Sequence, residues 1–496
     1  MNLESRGSRF WSYLLVLFIA IGMFLVWYST VWGAGLISDS FQYAATARNL
    51  AHGKGFSLPY GDGELIPMTK YAPMFSILLA GFELFGVSAI LGARIVNILL
   101  FGINIFLVFL SVKKLTRSDT FSLLTSLLFT LSFVTVEVHT WALSEPLYIG
   151  LSLLSFSFLQ NYFEDGQNKW FLLTVFTVSL ALLTRYVGLS LIISILLILL
   201  IDREIVQQRL KNALIFGSFA ILPTALWTIR GYRLTQTLND REIAFHPLTV
   251  KNYVSAIDVI YGWFLPTSFV QGMEKVLLII SAIVLIALVW YFRRSYKFIV
   301  QDLNAARKIL LLHVTYIILY AVMVVASKTW VDPDIGLSDR ILSPMLVSLL
   351  ILLSAGFSFF GNTFAKARVF VVILSLGLIV YYSIGTFMFI QVSHTGGIGI
   401  ARRGWNRSEV IQSLRTYSDY SIYTNSISSL YLWSDRAGYG IPEFETLKEA
   451  GTEKQVVLVI FHQVPPTGKR LAEITTGLQV LSEDQIASIY ALNPSQ

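Results

Sequence analysis

The sequence predicts an all-α polytopic membrane bundle of about eleven transmembrane helices, with a long first extracytoplasmic loop and a small C-terminal α/β extracytoplasmic domain. Two observations support this fold class. Hydrophobic residues make up 55% of the chain and charged residues 14%, a composition typical of polytopic membrane proteins. Long hydrophobic runs recur through residues 1–395, whereas residues 396–496 have the composition of a soluble domain. We therefore expect one transmembrane domain followed by one small soluble domain.

Each predicted span is a hydrophobic run bounded by charged or polar residues. The first run is too long for the core of a signal peptide and lacks a small-residue cleavage site, so we expect a retained span. Only Arg185 interrupts the block 170–201, and we expect two short spans there, because a single span would invert the topology downstream. The segment from Pro73 to Gly86 is too short to cross and is expected to lie in the interface. The predicted spans are 10–32, 88–112, 119–136, 146–163, 170–184, 187–201, 212–229, 276–292, 309–326, 341–360 and 369–392.

The charges of the loops predict the orientation of the bundle. Lysine and arginine clusters fall between alternate spans, within residues 113–117, 203–211, 293–308 and 366–368. Cytoplasmic loops of membrane proteins carry this excess of basic residues. The N-terminus is therefore predicted to be cytoplasmic and the C-terminal domain extracytoplasmic. Because the basic residues lie in these short clusters, the net charge of +7 does not indicate nucleic-acid binding.

The C-terminal region has the pattern of a small α/β domain. Two runs, Ser421–Thr424 and Val456–Phe461, are apolar enough to be buried strands. Helices are predicted between the strands, over residues 426–433 and 468–475. The sequence contains no internal repeat.

A carboxylate at the outer end of the first span is the most informative single residue. Asp39 follows the first hydrophobic run directly and precedes a polar loop with four glycines. A carboxylate at the mouth of a span is costly to desolvate and therefore usually has a function. Further ionisable residues are predicted on the same side of the bilayer, namely Glu137, His139, Glu145, Arg185, Arg230, Lys328, Asp339 and Arg340.

Each of these residues also has a purely structural explanation. Basic side chains at span ends often extend to lipid headgroups. Glu145 followed by Pro146 is a common helix start, and a lone histidine such as His139 is more often structural than a ligand. Charged groups from five loops on one face nevertheless fit a ligand that combines phosphate and hydroxyl groups. Arginine binds phosphate through a planar fork, and a carboxylate accepts a proton from an attacking hydroxyl.

The metal-binding signal is weak. The chain has no cysteine, which excludes disulfides and thiolate metal sites. Glu137 and His139 have weak metal-ligand spacing, and any site would rest on oxygen and imidazole ligands. We expect no obligatory metal. The binding of a divalent cation by Glu137 and His139 is kept as an alternative.

Short motifs occur in a fixed order along the predicted outer loops. The first loop contains DSFQY at 39–43, ARNLAHGKG at 47–55 and YAPM at 71–74. Later motifs are Phe85-Gly86 followed by Arg94, LSEPL at 143–147, LTRY at 183–186, WTIR at 227–230 and RILSP at 340–344. Over nearly all of residues 10–395 the chain resembles the GT-C glycosyltransferases. It is most similar to the branch with protein O-mannosyltransferases, aminoarabinose transferases of lipid A and rhizobial galacturonosyltransferases.

The resemblance implies a sugar donor attached to a polyprenyl phosphate, used on the extracytoplasmic face of a bacterial plasma (inner) membrane with inversion at the sugar carbon. It implies that Asp39 is the general base that deprotonates or positions the acceptor. It also implies that Arg340 contacts the donor phosphate, with Lys328 and Arg230 as further candidates. The residues expected to line or brace the cavity are Glu145, Arg185, Glu137, His139 and Tyr43.

The chain departs from the pattern of the family after the first acid. Many relatives carry a second acid there, whereas Ser40 follows Asp39 in this sequence. A carboxylate pair in the first loop is therefore in doubt, and Glu137 and Glu145 are the alternatives for a second acid. No metal is required by the implied chemistry, because polyprenyl phosphate is itself a good leaving group and cationic residues can offset its charge.

The sequence thus predicts a membrane glycosyltransferase that moves a sugar from a polyprenyl-phosphate donor to an extracytoplasmic acceptor of unknown kind, with membrane lipids as its surroundings. The first alternative is a transporter or flippase of lipid-linked sugars. Such proteins usually keep ionisable residues near mid-bilayer and show internal repeats, and neither feature is found in this sequence. The second alternative is a non-catalytic envelope assembly protein that binds through its C-terminal domain.

Overall fold

A computed structural model describes residues 3–201, 205–237, 240, 243–266, 268, 272–273, 276–277, 279, 304–363, 365–442, 455–464 and 474–492. Helices form most of the described chain, and a small sheet domain follows the last long helix. The helices up to that point are α1 Leu3–Ser29, α2 Ser38–Ala51, α3 Met74–Leu84, α4 Ala89–Thr116, α5 Asp119–Leu131, α6 Phe133–Thr140, α7 Glu145–Asp165, α8 Asn168–Thr184, α9 Leu189–Leu200, α10 Val206–Thr235, α11 Val250–Gly262, α12 Ala305–Trp330, α13 Asp339–Thr363 and α14 Ala365–Gly396.

The number of membrane-spanning helices agrees with the prediction only in part. Within the described ranges, six helices (α1, α4, α10, α12, α13 and α14) are long and apolar enough to cross a membrane. The count rises to seven if α5 and α6, which meet at a bend of 56°, form one span. Helices α7, α8 and α9 fall below this length or hydropathy, and most of the predicted span 276–292 lies outside the described residues. The bundle of an integral membrane protein is confirmed, whereas the count of about eleven is not.

Helices α8 and α9 run in opposite directions, as expected for the block 170–201. Helix α8 begins beside Tyr162, near the C-terminal end of α7, and ends at Arg185, which contacts Glu145 at the other end of α7. After α9, Asn212 Nδ2 on the first turns of α10 donates to the hydroxyl of Tyr162 at 3.1 Å. The chain therefore returns to the end from which α8 started. Both helices are shorter than the ~20 residues that a spanning helix needs.

The segment between α1 and α4, which is the predicted first outer loop, folds into a compact layer at one end of the bundle. Helix α2 is followed by a two-stranded antiparallel hairpin, β1 Ser57–Tyr60 and β2 Glu64–Pro67, and then by the short helix α3. Ser40 caps α2, because its Oγ accepts from the backbone N–H of Ile37 at 3.2 Å. The side chain at the position of the absent second acid is therefore buried in a structural role.

The C-terminal domain contains the strands β3 Ser421–Thr424, β4 Tyr439–Gly440, β5 Val456–Phe461, β6 Gln479–Glu483 and β7 Ala487–Ala491. They form a mixed sheet with strand order β4-β3-β5-β7-β6. Strand β3 is parallel to β4 and β5, while β7 is antiparallel to β5 and β6. Both predicted strands are confirmed, and the predicted helix 426–433 is observed one residue later. The predicted helix 468–475 lies largely outside the described residues. The helices of this domain are α15 Arg403–Arg407, α16 Glu409–Ser413 and α17 Ile427–Ser434.

Candidate active site

Asp39 is the centre of a small charged cluster on the outer layer. It lies in the first turn of α2, where a carboxylate is stabilised by the helix dipole. Its Oδ1 accepts a hydrogen bond from the Tyr71 hydroxyl at 2.9 Å, and its Oδ2 accepts one from Arg340 Nη1 at 3.2 Å. The carboxylate is partly accessible, with 24% of its side chain exposed. Asp39 is therefore oriented by two neighbours while remaining reachable from the outside.

Arg340 joins this carboxylate to a second one. The guanidinium lies on the first turn of α13, which Tyr320 of α12 holds by donating from its hydroxyl to the Ile341 carbonyl at 2.7 Å. Arg340 Nε lies 3.4 Å from Glu145 Oε1, while its Nη1 binds Asp39. One guanidinium thus bridges two acids by different nitrogens, an arrangement that the planar fork of arginine allows.

Glu145 is the buried acid of the cluster. Its side chain is 1% exposed, at the first position of α7 and followed by Pro146. Arg185 Nη1 approaches Glu145 Oε1 at 2.7 Å, yet neither carboxylate oxygen has a well-directed hydrogen bond from the described residues. The carboxylate is therefore held mainly by two positive charges. Of the two candidates for a second acid, Glu145 is the one brought into this cluster.

Arg185 reaches Glu145 because the chain is extended between α8 and the turn that follows. Its backbone has φ −149° and ψ 131°, which ends α8 and turns the side chain toward α7. Burial by itself would lower the pKa of Arg185, but Glu145 and the neighbouring Tyr320, Tyr43 and Asp39 side chains together outweigh burial and raise it. The guanidinium is therefore permanently charged. Arg185 and Glu145 form a fixed ion pair beneath the more exposed pair of Asp39 and Arg340.

Tyr43 lies one turn after Asp39 and is fully packed. Its hydroxyl is 3.1 Å from Ser144 Oγ, directly before Glu145. Burial raises the pKa of Tyr43 far above its ordinary value, so the phenol is neutral. Tyr43 therefore connects α2 to the start of α7, as a residue that braces the cluster.

Two of the predicted phosphate ligands make their hydrogen bonds elsewhere. Lys328 Nζ donates to the carbonyls of Pro333 and Ile335 at 2.6 and 2.7 Å, which closes the turn between α12 and α13. Arg230 donates to two carbonyls of the first outer loop at 3.2 Å each and stacks over the Trp227 ring. These contacts anchor loops. Among the three predicted phosphate ligands, Arg340 is the one that contacts Asp39.

His139, a residue expected to line or brace the cavity, lies buried in the core of the bundle. Its Nδ1 donates to the Thr135 carbonyl at 2.7 Å, and its Nε2 accepts from Asn104 Nδ2 at 3.0 Å. The Phe101 ring packs against the imidazole. Both nitrogens of this buried side chain are thus satisfied by the protein, which is the structural role that a lone histidine usually has.

Glu137 forms no ion pair with Arg340 or Arg185 within the described part of the chain. It faces Asp339, whose carboxylate accepts from Trp263 Nε1 at 2.8 Å. In the described part of the chain no group of three His, Asp or Glu side chains is arranged to hold a metal ion. In the weak Glu137-x-His139 pattern, both imidazole nitrogens of His139 are occupied by hydrogen bonds to the protein.

Sequence reasoning missed two residues of the site. Tyr71 binds Asp39 directly, and Ser144 connects Tyr43 with the Arg185 guanidinium, whose Nη1 lies 3.5 Å from Ser144 Oγ. Both residues belong to the motifs YAPM and LSEPL that carry the resemblance. The motifs marked the segments, but only the contacts assign these residues to the site.

Comparison with known proteins gives one family and several similar structures. Residues 70–227 match the family model described as dolichyl-phosphate-mannose-protein mannosyltransferase. ArnT from Cupriavidus metallidurans bound to undecaprenyl phosphate superimposes with a TM-score of 0.63 at 13% identity, over 97% of this chain and 99% of that chain. A mutant form of the arabinofuranosyltransferase AftD from Mycobacteria gives a TM-score of 0.52 at 12% identity, over 97% of this chain and 42% of that chain.

A curated relative of unassigned function was also found. An uncharacterized protein of Aquifex aeolicus is 30% identical over 158 residues, which are 32% of this chain and 30% of the relative. The matched stretch thus spans less than a third of that relative. The fold is that of a polytopic membrane protein and is similar to the fold of ArnT. The resemblance predicted from the motifs is confirmed by the family-model match over residues 70–227 and by this similarity of fold.

Proposed function

We propose that the protein is an inverting glycosyltransferase that uses a polyprenyl-phosphate sugar and transfers the sugar to an acceptor on the extracytoplasmic face. The observation that carries this proposal is the contact between Asp39 and Arg340, which are 301 positions apart in the sequence. It brings a carboxylate able to accept a proton next to a guanidinium able to bind a phosphate. The similar fold of ArnT, which binds undecaprenyl phosphate, supports the same class of donor.

The proposed reaction is a single displacement at the anomeric carbon. The acceptor oxygen or nitrogen forms the new bond to this carbon while the bond from the carbon to the donor phosphate oxygen breaks. Asp39 takes the proton of the acceptor, and the bond electrons leave with the polyprenyl phosphate. One displacement inverts the configuration of the sugar. Arg340 stabilises the charge that develops on the departing phosphate.

The second ion pair supports this chemistry by its charge balance. Asp39 and Glu145 are matched by Arg340 and Arg185, so the four side chains carry no net charge. A donor phosphate adds negative charge and competes with Asp39 for Arg340. Donor binding would thereby loosen the Asp39–Arg340 contact and release Asp39 to act as the base. Arg185 meanwhile keeps the buried Glu145 carboxylate neutralised.

Mass spectrometry of envelope lipids and glycans tests the proposal directly. A strain that lacks the protein should accumulate a polyprenyl-phosphate sugar and lose one glycosylated product. The wild-type gene should restore both, and Asp39→Asn should restore neither. Asp435→Asn is the matched control, because Asp435 of the C-terminal domain forms an exposed ion pair with Arg48 of α2, and such pairs contribute little to stability.

Two outcomes would contradict the proposal. Unchanged lipids and glycans in the deletion strain would argue against a transferase. Accumulation of the lipid-linked sugar on the cytoplasmic face alone would favour the transporter alternative. Within the described residues, however, this charged cluster lies at helix ends rather than at mid-bilayer, and that observation favours the enzyme.

A further inference from the structure

A cavity of about 620 Å³ lies between the first outer loop and the C-terminal domain. One wall is formed by α2 and the β1–β2 hairpin, through Gln42, Tyr60 and Ile66. The opposite wall is formed by the C-terminal ends of the parallel strands β3 and β4 and by the start of α17, including Ser428 and Ile441. Ligands of α/β domains characteristically bind outside the carboxyl ends of parallel strands. The volume also falls in the range of about 300–1,000 Å³ that is usual for small-molecule sites.

The cavity and the charged cluster lie on adjoining faces of the same helix. Successive residues of an α-helix are rotated by about 100°, so Asp39 falls between the direction of Gln42 and that of Tyr43. Gln42 lines the cavity, whereas Tyr43 packs toward Ser144 and the buried ion pair. A group bound in the cavity is therefore next to the helix turn that carries Asp39, on the side away from Arg185.

The two walls are held together by contacts of several kinds. The Ser421 hydroxyl donates to Asp62 Oδ2 at 2.6 Å, and the Gly61 N–H donates to the Gly438 carbonyl at 3.2 Å. A Cβ at Gly61, whose φ is +55°, would collide with the Tyr439 ring. The hairpin is thus docked closely on the sheet of the C-terminal domain. The cavity is consequently a built feature of the fold.

The lining combines aromatic and aliphatic surfaces with uncharged polar groups. The Gln42 Oε1 atom is buried without a hydrogen-bond partner among the described residues. Within the described chain, the Ser428 hydroxyl forms its hydrogen bond with the hydroxyl of Ser426, two residues earlier, at 3.2 Å. The described lining residues include Phe41 and Tyr60 and carry no charged side chain. Amide, hydroxyl and aromatic groups of this kind suit a ligand with many hydroxyl groups and no charge.

We propose that this cavity binds the acceptor of the reaction, and that the bound part of the acceptor is an uncharged saccharide. The C-terminal domain then has a specific role, since it supplies half of the acceptor site. Asp39 lies at the boundary between the acceptor on the Gln42 side and the donor phosphate at Arg340. The role of the bound saccharide as acceptor rests on the proposed function, whereas the binding of a saccharide is independent of it.

Photo-crosslinking in the living cell identifies the occupant of the cavity whatever its chemical class. Tyr60 is replaced by benzoylphenylalanine, which keeps an aromatic ring at the cavity wall, and Tyr253 is replaced in the same way as the control. Tyr253 is 51% exposed on α11, outside the cavity. We expect irradiation to give an adduct at position 60, whose added mass is a series of neutral sugar units, and none at position 253.

The other outcomes overturn the proposal. An adduct of peptide mass would assign the cavity to a protein partner, and a phospholipid or phosphosugar mass would show that the ligand is charged. Equal labelling at positions 60 and 253, or no adduct at position 60, would mean that the cavity holds no specific ligand.

A second experiment separates the acceptor site from the transfer function. Ser428→Trp fills the cavity from the C-terminal domain, and Ser418→Trp adds the same side chain at an exposed position of that domain. The neutral glycan fraction of the envelope is used as the ligand. We expect half-saturation of S428W to require about tenfold or more of this fraction than half-saturation of S418W, which corresponds to about 1.4 kcal/mol. Binding of undecaprenyl phosphate should remain within twofold of S418W.

The two measurements test separate claims, the position of the acceptor site and the transfer function. A tenfold loss of undecaprenyl phosphate binding in S428W would show that the cavity belongs to the donor side, and equal half-saturation in both variants would overturn the acceptor assignment. If the purified protein transfers no sugar but the saccharide adduct still forms at position 60, the proposed function fails and the binding site stands.

Discussion

The two faces of helix α2 present different chemistry. On the Tyr43 side lie two carboxylates and two guanidinium groups, at distances from 2.7 to 3.4 Å. On the Gln42 side lies a cavity whose described lining is uncharged. A phosphate has to be bound by charge, since desolvating it without a cation is costly. A hydroxyl-rich group is bound by neutral hydrogen-bonding groups and flat apolar surface. In the proposed function, this difference places Asp39 between a charged donor phosphate and an uncharged acceptor.

The largest effect should come from removing the base at this boundary. Asp39→Asn is expected to lower the transfer rate by about 10²–10⁴-fold, the usual contribution of a general base. Binding of undecaprenyl phosphate should be retained, because Arg340 loses a competing carboxylate. Single-turnover kinetics of the purified protein and a lipid-binding assay check the two parts, with D435N as control. Loss of both activities in parallel would instead mean that Asp39 organises the donor site.

The buried acid should matter for stability more than the exposed one. Glu145→Gln leaves the Arg185 guanidinium buried without its counter-charge, and breaking such a pair costs about 3–5 kcal/mol. We expect a clearly lower thermal unfolding midpoint in detergent, compared with Glu409→Gln at an exposed acid of the C-terminal domain. Equal midpoints for the two variants would show that the ion pair contributes nothing to the fold.

The three predicted phosphate ligands can be ranked by one series of variants. Arg340→Ala should weaken undecaprenyl phosphate binding by about tenfold to a hundredfold, since hydrogen bonds to charged groups contribute about 1.5–3 kcal/mol. Arg230→Ala and Lys328→Ala should mainly lower the unfolding midpoint, because these side chains bind backbone carbonyls. A stronger loss of lipid binding in either of the latter two than in R340A would restore the phosphate role that the sequence predicts for them.

The smallest effect is expected for the neutral phenol beneath Asp39. Burial raises the pKa of Tyr43, so this group keeps its proton throughout the neutral and mildly alkaline range. Tyr43→Phe should therefore leave the shape of the pH–rate profile unchanged and cost about 1 kcal/mol of stability, the value of one hydrogen bond. A Y43F profile that lost an alkaline limb would show that Tyr43 titrates during turnover.

Parts of the site were predictable because each motif marks a short segment. Asp39, Arg340, Glu145 and Arg185 lie in motifs that the sequence displays, and the structure brings all four together. The sequence could not separate Arg340 from Lys328, since a basic residue at a span end has the same local pattern whether it binds a carboxylate or a carbonyl. The same limit applies to His139, whose hydrogen bond from Asn104 becomes evident only when α4 packs against α6. The count of about eleven spans is not confirmed, because α7, α8 and α9 are shorter or more polar than isolated membrane helices usually are and most of 276–292 lies outside the described residues.

The sequence by itself determined the membrane class, the resemblance to the GT-C proteins and the two central strands of the C-terminal domain. These properties follow from local composition and periodicity, which persist whatever the distant contacts are. The tertiary structure alone decided that Arg340 reaches Asp39 across 301 positions, that Tyr71 orients this carboxylate, and that the C-terminal domain closes a cavity over α2. Such contacts depend on how helices and domains pack, and the energy of packing is shared among residues that no single stretch of sequence contains.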